Sequence, residues 1–203
     1  MRVDDIKKVK PSKDNVVTKK VEQEKDGGLF FATTIKDVKN TELSYAEVLA
    51  VGPTATQPDI CPGLEVGNKV VYNSFAGSHI ATDDLKELYK VMNGYSIMAI
   101  LDDINNLNES TIQPAADRLL LAVKFVDESN TGIFISAADA KDPRLEDLDY
   151  GTVIKIGPSC KLGYKVGDIV AYNPYAGENI RRAESVDKPA LRVLNEDDVL
   201  LSI

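Results

Sequence analysis

The segment LEVGNKVVYNSFAGSHI at residues 64–80 returns, with substitutions, as YKVGDIVAYNPYAGENI at 164–180. Val66-Gly67, Val70, Tyr72-Asn73, Ala76-Gly77 and Ile80 each meet an identical residue in the second copy. The correspondence continues outward. AEVLAVGP (46–53) lies over GTVIKIGP (151–158), and SIMAIL (96–101) over DVLLSI (198–203). Further upstream, KDNVVTKKVEQEKDGGLFF meets ADRLLLAVKFVDESNTGIFI, with Gly28 over Gly132. The blocks follow the same order in both halves, so one unit of about a hundred residues is written twice. Whatever the architecture, it must close a core within that length and do so a second time. Between its Gly157 and Val166 the second copy is five residues shorter than the first between Gly52 and Val66, and such a change belongs in a surface loop. The boundaries that follow are a first domain at 1–102, a polar, Asn-rich linker and entry to the second domain at 103–114, and a second domain at 115–203.

Within each copy the pattern is all-β. LLLAVKF, EVLAVGP, KVVYN, TVIKIGP and DIVAYN are short runs rich in Val, Ile and Tyr, broken by Gly-Pro, Val-Gly and Ala-Gly turns. DDLKELYKVM (83–92) conflicts locally, because Leu85, Leu88, Tyr89 and Met92 recur at helical spacing. Its counterpart DKPALRVL (187–194) contains Pro189 and reads as strand, so the repeat predicts strand for the second half of the segment and leaves room for a helical turn at 83–88.

Several function classes are excluded by what is missing. The net charge of −8 disfavours nucleic acid and anionic membranes as partners. No apolar run reaches the roughly 20 residues of a membrane span, and the opening MRVDDIKKVKPSKDN has no signal-peptide core or transit-peptide character. A lone histidine, His79, in the setting AGSHIATDD reads as an exposed loop residue; it leaves no zinc site and no support for a Ser-His-Asp triad. Cys61 and Cys160 are too few for a disulfide framework, point to a reducing compartment and lack the CxxC spacing of a redox pair. There is no nucleophile elbow, P-loop or GxGxxG turn. No catalytic residue, metal site or cofactor is expected.

One stretch then stands out. EKDGGLFFATTIKDVKNTE (24–42) sets three large apolar residues behind two glycines inside an otherwise polar, loop-like run, and the second copy answers with Gly132-Ile133-Phe134-Ile135. Taken alone, this could be a turn leading into a buried strand. In sequence order each copy has an opening Asp-Arg strand (Asp117-Arg118; Asp14-Asn15 in the first), a Gly-flanked apolar tripeptide, and a Val-Gly strand end (Val51-Gly52; Ile156-Gly157). A Val-Gly-Asn/Asp turn, a Phe/Tyr-Ala-Gly segment and a closing apolar strand follow. In this order, and in duplicate, the chain resembles the GroES-type co-chaperonin subunit across its whole length. Two units in tandem are similar to the chloroplast twenty-kilodalton co-chaperonin family.

The resemblance implies two tandem GroES-like, partly open β-barrels, each with a long mobile loop and a short roof loop. It implies no enzymatic activity. It implies a lid for a double-ring, ATP-dependent chaperonin of the GroEL type, enclosing the folding chamber and modulating the ATPase, in the plastid stroma after removal of a transit peptide. It assigns chaperonin binding to Gly27, Gly28, Leu29, Phe30 and Phe31, and to Gly132, Ile133, Phe134 and Ile135, docking on apical domains in the nucleotide-bound state. Such a loop needs glycine for freedom, polar flanks for solubility and an apolar anchor. Three anchoring side chains give roughly 5–9 kcal/mol gross, and ordering a dozen residues at about 1 kcal/mol each consumes most of it. A single loop is thus expected to bind weakly and several on one ring to bind well.

This chain departs from the family where the tripeptide is usually aliphatic: here both copies place Phe in the middle. GPSCKLGYKVG in the second copy is too short for a full roof hairpin, which predicts a reduced roof with an apical opening. The resemblance also implies a sevenfold partner ring. Paired lobes cannot fill seven places, so other co-chaperonin chains, including a single-domain one, are expected partners. First and last strands of neighbouring lobes are expected to pair, VVTKK and SIMAIL serving the first copy and RLLLAV and DVLLSI the second. Two other readings compete. A medium-chain dehydrogenase would need the missing Rossmann fingerprint and zinc ligands. A tandem β-barrel adaptor without chaperonin capping would need only the fold.

Overall fold

The computed structural model describes residues 2–6, 8–21, 43–83, 88–123, 148–181 and 189–202. The tripeptides and their glycines, 27–31 and 132–135, and the centre (84–87) of the helical turn allowed at 83–88 lie outside these. Apart from one helical turn at Val3–Ile6 and two short 3₁₀ turns, the described elements are strands.

The first lobe comprises β1 (Asn15–Val21), β2 (Leu43–Val51), β3 (Lys69–Asn73), β4 (Ser78–Ile80), β5 (Tyr89–Asn93) and β6 (Ile97–Leu101). β7 (Ile112–Pro114) follows, then β8 (Arg118–Val123), β9 (Asp149–Ile156), β10 (Ile169–Tyr172), β11 (Glu178–Arg181), β12 (Ala190–Asn195) and β13 (Val199–Ser202) in the second lobe. The first sheet runs β4-β5-β1-β2-β3-β6-β7 and the second β11-β12-β8-β9-β10-β13, so each position in the first has its duplicate in the second except β7. Among the described residues all pairings are antiparallel, and neither sheet closes on itself.

The duplication extends to the irregularities. Bulges fall between Val17 and Thr18 and between Leu120 and Leu121, and again between Val71 and Tyr72 and between Ala171 and Tyr172. A bulge sharpens local twist and curls a sheet toward a barrel, so both copies bend at the same places. Gly52 and Gly157 sit where the strand end passes over the opening turn. A Cβ there would lie 2.3 Å from the carbonyl oxygen of Lys13 or of Ala116. Gly52 N donates to Asn15 O and Gly157 N to Arg118 O, fixing this crossing in each lobe.

Segment 83–92 resolves as the repeat predicts. Tyr89–Asn93 is a strand matching Ala190–Asn195, and Tyr89 and Met92 are buried in different clusters. Tertiary pairing with β1 overrides the local helical spacing. His79 is exposed as expected, but it lies in strand β4 opposite Lys90 rather than in a loop.

The expectation about which strands pair between lobes needs correction. VVTKK and RLLLAV lie in β1 and β8, which are central: β1 is flanked by β5 and β2, and β8 by β12 and β9. The strand that crosses between lobes is β7, at the end of the stretch read as linker and entry to the second domain, pairing Ile112 with Leu101, Gln113 with Ile100 and Pro114 with Ala99. SIMAIL does provide the first lobe's half of that pairing. Proline is tolerated in β7 because the strand is the sheet's edge, where one row of N–H groups has no ladder partner.

The core divides accordingly. Val16, Val48, Val70, Tyr72, Met92 and Ile97 fill the first barrel, and Leu119, Leu121, Val153, Val170, Tyr172 and Leu194 the second. A third cluster joins Val71, Ala99, Leu101, Ile104 and Ile112 to Leu120, Ile180, Leu191 and Val193, so the lobes share apolar contact. Strands buried on both faces lose the alternation of a half-exposed sheet, which accounts for the Leu119-Leu120-Leu121 run.

Candidate functional site

The segments that carry the tripeptides leave and return at matching places. Residues 22–42 connect Val21 to Leu43, on strands where Val21 pairs with Tyr45; residues 124–148 connect β8 to β9, where Ala122 pairs with Thr152. The anchors of both are therefore neighbouring central strands at the same end of each lobe. How the tripeptides are disposed lies outside the described residues.

Beside each anchor is a turn tipped by an exposed aromatic ring. Leu43 pairs with Asn73, and the turn that follows carries Phe75, 82% exposed; Asp149 pairs with Tyr172, and the next turn carries Tyr175, 81% exposed. The turns are built alike. Asn73 Oδ1 accepts from Phe75 N at 3.0 Å and Asn173 Oδ1 from Tyr175 N at 2.9 Å, the side-chain-closed turn asparagine favours. A buried cation holds each from below. Lys90 Nζ donates to the carbonyls of Ser74 (2.6 Å) and Ala76 (3.1 Å) and lies over the Tyr72 ring. Arg192 Nη2 donates to the carbonyl of Pro174 at 2.7 Å, lies over the Tyr172 ring, and reaches Asp149 through Nη1 at 3.1 Å. Burial, then the neighbouring Lys20, lowers the Lys90 pKa. Both carbonyls nevertheless hold its ammonium in place. Sequence reading missed these turns as site elements, although the recurring Asn-x-Phe/Tyr-Ala-Gly was the signal.

The other built site is the seam between lobes. Arg118, the first residue of β8, is buried; its Nη2 donates to the Tyr95 carbonyl at 2.6 Å and its guanidinium stacks 4.7 Å from the Tyr95 ring centre. The Tyr95 hydroxyl donates to Asp117, 3.0 Å from Oδ2. Burial draws the Arg118 pKa down, while Tyr95 and Asp117 support its charge. Around this clamp Tyr45 Oη donates to the Ile180 carbonyl at 3.2 Å, Asn73 Nδ2 to Glu178 Oε1 at 3.3 Å, and Ser159 Oγ to the Pro58 carbonyl. A cleft of about 350 Å³ opens here, lined among others by Tyr95, Arg118, Tyr175 and Glu178.

Between β2 and β3 and between β9 and β10 the chain runs in turns, with no strand at 52–68 or 157–168 where a roof hairpin would stand. Cys61 and Cys160 lie in these turns, both free. Burial pushes each thiol up to about 11, helped at Cys160 by Glu196, so both are protonated and poorly nucleophilic at neutral pH. Among the described residues no group of three His, Cys, Asp or Glu side chains converges as metal ligands would.

The described residues thus form two open, bulged antiparallel barrels in tandem, each with turns in place of strands at one end. The family model described as "Chaperonin 10 Kd subunit" matches residues 8–101 and again 111–203, and the chain belongs to that family, twice over. The second match begins inside the stretch read as linker, as β7 does. Among curated proteins the chain is similar to the "20 kDa chaperonin, chloroplastic" of Spinacia oleracea, 29% identical over 199 residues, covering 91% of this chain and 72% of the relative. The protein of the same name from Arabidopsis thaliana is 27% identical, with the same coverage of each. A single-unit relative, the "Co-chaperonin GroES" of Oleidesulfovibrio alaskensis, is 35% identical over 98 residues, 46% of this chain and 97% of its own length.

Proposed function

We propose that this chain is a non-enzymatic lid: it caps a double-ring, ATP-dependent chaperonin of the GroEL type, encloses the folding chamber and modulates the partner's ATPase. Leu29-Phe30-Phe31 and Ile133-Phe134-Ile135, freed by Gly27-Gly28 and Gly132, dock on apical domains of the nucleotide-bound ring. The supporting observation is the tandem family match, with the tripeptide-bearing segments anchored at the same end of each lobe. The word "chloroplastic" in the names of two relatives supports plastid residence, and the stroma is the compartment proposed. Ring formation uses further co-chaperonin chains, a single-domain one among them, because paired lobes cannot fill seven places. The strandless turns at 52–68 and 157–168 support a lid with an apical opening.

Nucleotide-dependent co-elution tests this. The chain, mixed with a chaperonin double ring and a single-domain co-chaperonin, is expected to co-elute on sizing chromatography with ATP or ADP and not without. Phe30→Asp combined with Phe134→Asp is expected to abolish co-elution while the circular dichroism is retained. Co-elution unaffected by the double substitution sinks the docking assignment. Failure of the parent chain to co-elute even with the single-domain partner establishes the adaptor reading instead.

A further inference from the structure

The same apolar face occurs on both lobes, beside the opening turn, and the two copies of it are covered differently. On lobe two it consists of Ile112, Leu120, Ile154, Ile180, Leu191 and Val193, and Val71, Ala99 and Leu101 of lobe one join it in one cluster. On lobe one the repeat and the strand register set Val9, Val17, Leu49, Ile80, Tyr89 and Val91 at the same positions. These also gather in one cluster, but the buried residue that joins them is Ile6.

Ile6 has no counterpart in the second copy. The register that sets Asp14 over Asp117 brings Ile6 over Glu109, which is exposed. Ile6 is 1% exposed and ends the helical turn Val3–Ile6. Among the described residues the backbone bonds of this turn are local, from Asp5 N to Arg2 O, Lys8 N to Asp5 O and Val9 N to Ile6 O. The ion pair between Asp5 and Lys8, 3.8 Å apart and exposed at both ends, adds little. A single helical turn does not sustain itself, so burial of Ile6 is what fixes the turn to the barrel.

The cover is also incomplete. Ile80 and Val91 stay half-buried, whereas their counterparts Ile180 and Val193, beneath lobe one, are buried. A small cover held by one side chain opens locally at low cost. The repeat states which surface matches the face once it opens. Met98 and Ala99, which join the internal seam, have Leu200 and Leu201 as counterparts on β13, and both are exposed. A second copy of this chain thus presents the apolar surface whose place Ile6 takes.

We infer that the turn at Val3–Ile6 is an intramolecular cover: Ile6 occupies the apolar face of lobe one and must leave before lobe two of another copy docks there, so the chain itself holds lid assembly back. This rests on the ring assembly proposed above and adds a step to it. Ile6 and the incoming lobe exclude each other, and the apparent affinity for that lobe falls with the fraction of chains whose face is uncovered.

Self-association of the full chain, followed by sedimentation velocity without chaperonin or nucleotide, tests the cover apart from capping. Ile6→Asp, whose carboxylate is expelled from an apolar face, is expected to associate at about tenfold lower concentration than the parent. Ile6→Leu is expected to follow the parent, and retained circular dichroism checks the barrels. In methyl NMR, cross-peaks between Ile6 and its cluster neighbours are expected in the free chain and are expected to vanish in the associated one. Cross-peaks that persist on association overturn the inference and leave the ring standing. So does a folded Ile6→Asp variant that associates no more tightly than the parent. If parent and variant both stay monomeric at the highest concentrations reached, the cover falls together with self-assembly.

Discussion

Leu119 and Leu120 are adjacent on β8, both 0% exposed, and point to opposite faces: Leu119 into the second barrel, Leu120 into the cluster shared between lobes. Truncating either to alanine removes the same atoms. The transfer loss is about 2.4 kcal/mol for three methylene equivalents, and the residual cavity raises the total to roughly 3–4 kcal/mol. The two variants should differ in where that loss is felt. Leu120 touches a cluster that includes Val71, Ala99 and Leu101, so Leu120→Ala should weaken the first lobe as well as the second. Hydrogen exchange read by mass spectrometry, with urea unfolding alongside, separates the cases. Leu120→Ala is expected to speed exchange in β3 and β6 by about two orders of magnitude, the factor matching roughly 3 kcal/mol. Leu119→Ala should destabilise the second lobe comparably and leave β3 and β6 near their parent rates. If those strands respond equally to both variants, the chain unfolds as one unit. If they respond to neither, the shared cluster is energetically idle. Either result refutes the reading of a seam core that couples two separable barrels.

Two further expectations follow from the turns. Gly157→Ala brings a Cβ 2.3 Å from the Ala116 carbonyl oxygen and must disturb the Gly157–Arg118 and Ser159–Ala116 backbone bonds. Overpacking together with weakened hydrogen bonds predicts a loss of about 3 kcal/mol or more. Gly163→Ala, with open space around it and only a positive φ of 80° to oppose it, should cost about 1 kcal/mol. Urea midpoints at constant m-value give the order, and the reverse order contradicts the steric account. Cys61, 0% exposed, has its thiol raised from about 9 to about 11 by burial. Its folded-state pKa lies above the unfolded one, so its contribution is complete below about pH 9 and is lost as the pH rises toward 11. About 2–3 kcal/mol is at stake. The fall in stability over that window should be shallower in Cys61→Ala, whatever that variant's starting stability; an equal slope in both assigns it to other groups.

How much of this was legible in the sequence depends on whether the interaction was local to one copy. Strand identity was legible, because valine-rich runs and Gly-bounded turns recur in register. Even Tyr89–Asn93 was assigned correctly against its helical spacing, since its partner copy contains Pro189. The seam was not legible in the same way. β7 offers only Ile112 and Pro114 as apolar residues in a polar stretch, and its partner β6 declares itself only once both lobes are placed. The Leu119-Leu120-Leu121 run carried a usable signal, because a strand without alternation is buried on both faces and belongs in the middle of a sheet. Tyr95 carried none: nothing in NGYSI announces that its ring will lie under an arginine from the other copy. Leu29, Phe30, Phe31 and their counterparts were assigned from a resemblance, and their role stands as a proposal for the co-elution experiment.

β7 belongs by repeat to the second unit and by hydrogen bonding to the first sheet. The period of the gene and the period of the folded object are therefore out of phase by one strand. Cutting the chain at the apparent linker would leave the leading sheet with β6 as a bare edge, as β13 is in the trailing one, and the trailing piece would carry a short strand parted from its sheet. A designer seeking an autonomous single lobe would do better to permute than to truncate, placing Ile112–Pro114 after Leu101 so that the edge strand travels with the sheet it completes.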